Sequence, residues 1–299
     1  MFEGFTEHHI DTGHGSVFVR MKGEGAPLLL LHGFPETHAM WHRIAPRLAE
    51  SFTVVCADLP GYGNSGGPPV AEDHVPHSKR AFGNSLVTAM SRLGFSRFMV
   101  AGHDRGGRVA YRMALDHGDK VTKLAVLDVI PTGVVLDRAD ARLATSFWPW
   151  SLLCQPSPLP ERLLIADPEA VVEDAISAWG SPAAAFPAEV KAAYVDALRS
   201  LDSATAICEE YRASIAVDAD MDCEDLRAGR RIACPVLVLW SDGAVNDWYS
   251  TDGGPLGVWS QWALDVRGQY VPGGHFFPEA NPDHTGRLLH EFFAMTRSA

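Results

Sequence analysis

The sequence predicts an α/β protein built on a mostly parallel sheet flanked by helices, with a block of helices inserted near its middle. Two observations carry this. Short runs that are apolar almost without a break occur at 27–31, 53–57, 98–101, 124–128 and 236–240, with a weaker one at 269–271. Strands covered by helices on both faces need apolar side chains on both, so they lose the alternation of half-buried strands. Helical patterns, such as 78–93 and 108–117, separate these runs and give the strand, helix, strand order of a parallel sheet. Residues 16–20 alternate instead and are expected to add an early antiparallel strand.

The rhythm breaks after Asp128. From 131 to 231 there is no convincing strand pattern, only Trp-, Pro- and Ala-rich helical stretches such as 187–199 and 204–213. Strand signals resume at Val236. The expected organisation is a core in two parts, 1–130 and 232–299, with a helical cap at 131–231.

Composition narrows the function. A net charge of −12 lacks the clustered Lys and Arg that nucleic-acid binding needs, so no such role is assigned. An anionic substrate would have to meet locally placed cations. Five cysteines at irregular spacing without a CxxC pair suit reduced thiols in the cytoplasm better than disulfides or thiolate metal sites. The polar start and the lack of a long apolar run point to a protein that neither spans a membrane nor carries an export signal.

The chemistry centres on Gly102-His103-Asp104-Arg105-Gly106-Gly107, directly after one apolar run and before a helical stretch. It fits a nucleophile elbow with Asp in place of Ser: a sharp strand-to-helix turn holds its central residue strained, so small residues must flank it two positions to either side. The run at 28–31 leads into His32-Gly33-Phe34-Pro35, a place for backbone N–H groups to meet a developing oxyanion. Phe34 N–H and Arg105 N–H are the candidates. His275, in a loop after the last strand run, falls where the fold requires a general base. Its carboxylate partner is expected to be Asp128; Asp242 is the competitor, with Asp247 behind it, and spacing leaves the choice open.

A carboxylate nucleophile needs no deprotonation at neutral pH and can displace a leaving group from saturated carbon, leaving an alkyl ester that histidine-activated water cleaves. Haloalkanes, haloacids and epoxides are the substrates this allows. Arg105 and Arg108, on the elbow and in the first turn after it, could hold a substrate carboxylate beside Asp104 and so point to a haloacid.

Taken together, His103-Asp104-Arg105-Gly106-Gly107-Arg108, His32-Gly33-Phe34-Pro35, Leu127-Asp128 and Asp58-Leu59-Pro60-Gly61-Tyr62-Gly63 resemble the fluoroacetate (haloacetate) dehalogenases of the α/β-hydrolase superfamily over nearly the whole chain. The resemblance implies an α/β-hydrolase fold, hydrolysis of a small 2-haloacid, a triad of Asp104, His275 and Asp128, and carboxylate binding by Arg105 and Arg108. It implies a homodimer and no cofactor or metal. In the family a His-Trp pair and a Tyr of the cap donate to the departing halide. Trp150 and Tyr211 match two of these, but Pro149 stands where the His is expected. Proline has no donor, so fluoride, which most needs strong donors as it leaves, is expected to be the poorer leaving group here.

Other features weigh less. Gly61 to Gly66 matches GxGxxG but opens no helix, and reads as a loop near the active site rather than a dinucleotide site. His38 with His42, and His74 with His77, lack a third ligand pattern for a metal. An epoxide hydrolase would use the same Asp104 machinery but needs cap tyrosines, for which Tyr211 and Tyr194 are available. A hydrolase-fold protein without catalysis would not need the complete set of nucleophile, base, acid and oxyanion donors.

Overall fold

The computed structural model describes residues 1–242 and 249–295. Eight strands, β1 (Thr6–Asp11), β2 (Ser16–Lys22), β3 (Ala26–Leu31), β4 (Phe52–Ala57), β5 (Phe98–His103), β6 (Val121–Leu127), β7 (Val236–Trp240) and β8 (Val266–Tyr270), form one sheet in the order β1-β2-β4-β3-β5-β6-β7-β8. β2 pairs antiparallel with β1 and β4, and every other pairing is parallel. This is the α/β-hydrolase arrangement that the sequence leads one to expect.

The central strands are the runs predicted from apolar continuity, and β5 is buried along its whole length. The two outer strands are where the pattern was weak. β1 reads Thr-Glu-His-His-Ile-Asp, mostly exposed and polar, as suits an edge that must not recruit another strand. It has no apolar run to announce it. β8, the other edge, begins at Val266 rather than 269 and is largely exposed.

The helix after β5 spans Asp104–Asp116, four residues earlier than its hydrophobic pattern suggests. Gly106 and Gly107 weaken the helical signal in the first turn, yet the packing requires them. A Cβ on Gly106 would lie 2.4 Å from the His32 carbonyl oxygen, and one on Gly102 would lie 2.3 Å from the Gly106 oxygen. The helix Lys79–Arg92 is opened by Ser78, whose side chain accepts from Ala81 N–H.

Between β6 and β7 the named elements are all helical. Among them are Thr132–Asp137, Trp148–Leu152, Pro168–Ala178, Ala188–Leu198 and Leu201–Ala213. The last begins three residues before its predicted start because Ser200 caps it, accepting from Ser203 N–H. It runs directly into a π-helical turn, Ser214–Asp218. Among the described residues no helix is long and apolar enough to cross a membrane.

Candidate active site

Asp104 stands at the junction of β5 and its helix with φ +43°, a left-handed conformation that costs free energy for a residue with a Cβ. The turn lifts the carboxylate toward the end of β3, where Phe34 N–H donates to Asp104 Oδ1 at 3.0 Å. Gly33 permits the approach, since a Cβ there would come within 2.6 Å of the Asp104 Cβ. Arg105 N–H lies in the first helical turn, where backbone amides have no intrahelical acceptor. His32 pegs this corner in its neutral form. Its Nε2 accepts from Leu59 N–H at 3.0 Å, Nδ1 donates to the Gly33 carbonyl, and burial pushes its pKa down.

His275 lies in the loop after β8. Its Nδ1 meets Asp128 Oδ2 at 2.7 Å. Asp128, at φ +52° immediately beyond β6, is itself fixed by Ser241, whose N–H donates to Oδ1 at 2.8 Å and whose hydroxyl donates to Oδ2 at 3.0 Å. Asp242 is exposed and neighbours Tyr270 instead; Asp247 lies outside the described residues. The structure therefore brings Asp128, not Asp242, to His275.

Burial pushes the Asp104 carboxyl up, but His275, Arg105, Arg108 and His103 outweigh it and hold it down at about 2. His103 is fully buried. Although burial opposes its charge, Glu36 raises it to about 9; Nδ1 meets Glu36 Oε2 at 2.9 Å, and Nε2 meets the carbonyl of His275 at 2.9 Å. A buried imidazolium thus sits directly behind the candidate nucleophile.

The two arginines differ. Arg105 is wholly buried and bound to Glu210: Nε donates to both carboxylate oxygens at 2.9 Å and Nη2 to Oε1 at 2.7 Å, with a further bond from Nη2 to Ser214 Oγ at 2.6 Å. Lys79 pairs with the same Glu210. Arg108 donates through Nη1 to the Ile130 carbonyl at 2.9 Å and to Thr132 Oγ1 at 3.2 Å. Each arginine keeps one buried nitrogen without an acceptor, Nη1 of Arg105 and Nε of Arg108. The indole of Trp150 lies against both guanidinium groups, at 4.8 Å from Arg105 and 4.7 Å from Arg108, and the ring of Tyr211 lies 3.9 Å from Arg105.

A cavity of about 40 Å³ opens on Asp104, Asp128, His275 and Arg108 and is closed by Trp150 and Tyr249. Apolar side chains, including Val135, Leu143 and Phe147, complete it. Arg105 and Tyr211 pack against the Trp150 ring and are not among the residues that line the cavity. Among the described residues neither Trp150 Nε1–H nor the Tyr211 hydroxyl has a hydrogen-bond partner. Pro149 is buried beside Trp150, while the neighbouring Trp148 directs its N–H to Asp174 at 2.9 Å. Tyr194 is buried near Glu279 and Glu36 and does not line the cavity.

Of the motifs set aside, the loop Gly61–Gly66 packs under the helix Leu201–Ala213, with a Cβ on Gly61 placed 2.2 Å from that of Ala206. His38 pairs with Asp58 and His74 with Glu209. Sequence reasoning missed Glu36, Lys79, Glu210 and Ser214. The available signal was an acidic pair, Glu209-Glu210, between the apolar Ala206-Ile207-Cys208 and Tyr211 of one helix, since buried charges imply buried partners.

The family profile described as "alpha/beta hydrolase fold" matches residues 26–151. Fluoroacetate dehalogenase from Burkholderia sp is 42% identical over 300 residues, which cover 100% of this chain and 97% of that protein. Soluble epoxide hydrolase from Corynebacterium sp. (strain C12) is 37% identical over 131 residues, 44% of this chain and 41% of that one. The crystal structure of ALR0039 from Nostoc sp PCC 7120 superposes with a TM-score of 0.95 at 42% identity, covering 99% of this chain and 100% of that one.

Proposed function

Because the chain belongs to the fluoroacetate dehalogenase family of α/β hydrolases, we propose that it hydrolyses the carbon–halogen bond of a small 2-haloacid, with Asp104 as nucleophile. Asp104 Oδ1 is engaged by Phe34 N–H, which leaves Oδ2 to attack the halogen-bearing carbon. The carbon–halogen bond breaks with its electron pair on the departing halide, and the acid is left as an ester of Asp104. Trp150 Nε1–H and the Tyr211 hydroxyl are the donors proposed to receive the halide. Burial holds the Tyr211 hydroxyl well above the usual phenol range, so it remains a donor.

His275 then takes a proton from water, whose oxygen adds to the Asp104 carboxyl carbon. Asp128 stabilises the imidazolium. Charge gathers on Oδ1, where Phe34 N–H and Arg105 N–H oppose it. The bond from the carboxyl carbon to Oδ2 breaks, His275 returns its proton to that oxygen, the hydroxyacid departs with it, and Asp104 retains one oxygen from water and loses its remaining acid proton to solvent.

The observation that carries the haloacid reading is Arg108, which opens on the same small cavity as Asp104 with a buried Nε lacking any acceptor. An unpaired buried donor costs about 1–3 kcal/mol, a cost that a substrate carboxylate would remove. Arg105, although not on this wall, is proposed as the second carboxylate ligand through Nη1, its buried nitrogen without an acceptor. The cavity volume supports a substrate of few atoms. The epoxide reading draws support from the Corynebacterium relative, but of the cap tyrosines expected to serve it Tyr194 faces Glu279 instead, which leaves Tyr211 and, on the cavity wall, Tyr249. Cytoplasmic location and a homodimer belong to the same proposal, the first supported by free thiols at Cys56, Cys154, Cys208 and Cys223. Chloride release from chloroacetate, set against diol formation from styrene oxide with the same purified sample, tests the choice. Haloacid turnover is expected, and epoxide turnover with none on any haloacid would reverse it.

A further inference from the structure

The loop carrying His275 is held from within by Phe277 N–H, which donates to the Gly274 carbonyl at 3.1 Å. Gly273 and Gly274, at φ +134° and +70°, are residues with unusual backbone freedom, so the base needs further fastening from outside. Three bonds from residues 179–181 of the helical insertion supply it. His275 N–H donates to the Trp179 carbonyl at 2.9 Å. The Ser181 hydroxyl donates to the Gly273 carbonyl at 2.7 Å and accepts from Phe276 N–H at 3.0 Å. Gly180 and Gly274 abut so closely that a Cβ on Gly274 would lie 2.3 Å from the Gly180 carbonyl carbon. On the opposite side the His275 carbonyl meets His103 in the core.

We propose that Ser181 is a positioning residue for the second half of the reaction: its hydroxyl clasps the His275 loop to the helical insertion and aims the base at the water that cleaves the Asp104 ester. The proposal rests on the reading of Asp104 and His275 given above. Its scope follows from what the clasp leaves alone. Asp104, Phe34 N–H and Arg108 belong to the sheet core, and Trp150 and Tyr211 belong to other helices of the insertion. Removing the Ser181 hydroxyl, which touches only the Gly273 carbonyl and Phe276 N–H, therefore leaves the displacement step intact and slows water activation. A role in stability alone would lower the amount of folded enzyme without separating the two steps.

Rapid-quench kinetics of Ser181→Ala with chloroacetate test this, following chloride release and the mass of the Asp104 peptide. First-turnover chloride release per active site is expected to stay within about twofold of the natural protein, while ester decay slows by about 10- to 100-fold, the scale of a catalytic group misplaced by about 1 Å. Ester then accumulates, and kcat falls with KM so that kcat/KM is preserved. The burst counts only folded sites, so partial unfolding does not disguise the result, and Ser181→Thr, which keeps the hydroxyl, is expected to restore ester decay. Unchanged ester decay, or equal slowing of both steps, overturns the clasp. His275→Gln separates the two levels: if it accumulates ester and Ser181→Ala does not, only the clasp falls; if His275→Gln accumulates none, the reaction scheme falls and the clasp with it.

Discussion

Arg105 and Glu210 face each other with no exposure to solvent, joined through Nε and Nη2 at 2.7–2.9 Å, and Glu210 also takes Lys79. The carboxylate thus balances one of two buried cations, while Asp218 Oδ2, 3.2 Å from Lys79, answers the other. Replacing Glu210 by Gln keeps the shape and removes the charge. Breaking a buried pair from one side costs about 3–5 kcal/mol, so Glu210→Gln is expected to lower unfolding free energy by that amount in urea titration. A loss below about 1 kcal/mol would mean that water or a shifted side chain replaces the charge.

Arg108 is the arginine that reaches the cavity wall. Arg108→Ala is expected to raise KM for chloroacetate by the equivalent of about 1.5–3 kcal/mol, the scale of one charge-assisted hydrogen bond. Chloroacetamide, which has no carboxylate, is expected to be indifferent to the change. Equal losses on both substrates would assign Arg108 to shaping the wall rather than binding the acid.

The displacement step should be insensitive to moderate acid. Asp104, held down at about 2 by His275 and the arginines against the effect of burial, stays ionised on acidification well below the usual carboxylate range. First-turnover halide release is therefore expected to be flat between about pH 4 and about pH 9. Stopped-flow measurement of halide release checks this, and an acid limb near pH 4 would contradict the depressed carboxyl.

Pro149 offers no donor where a histidine would, and Trp148 gives its N–H to Asp174. Pro149→His is expected to raise turnover of fluoroacetate relative to chloroacetate, because fluoride depends most on donors as it leaves. An unchanged ratio would mean that another group already receives fluoride.

The parts of this molecule legible in its sequence are those where chemistry constrains residue type locally. The elbow needs Gly102 and Gly106 because any Cβ there meets backbone, and central strands such as β5 need unbroken apolar runs. Asp128 could not be separated from Asp242 by spacing, because both follow a strand; the choice rests on Ser241 and the position of the His275 loop. Edge strands β1 and β8 were hidden or mistimed because an edge tolerates polar residues. Glu210, Glu36 and Ser181 act through partners about 105, 67 and 92 positions away in the chain, and no local pattern announces such pairings.

Single turnover of chloroacetate in ¹⁸O-water, followed by mass analysis of the Asp104 peptide and of the released glycolate, tests covalent catalysis by Asp104 most directly. Water attack on the ester carboxyl carbon predicts one ¹⁸O in Asp104 and unlabelled glycolate from the first turnover. Labelled glycolate with unlabelled Asp104 would show that water displaces the halide itself.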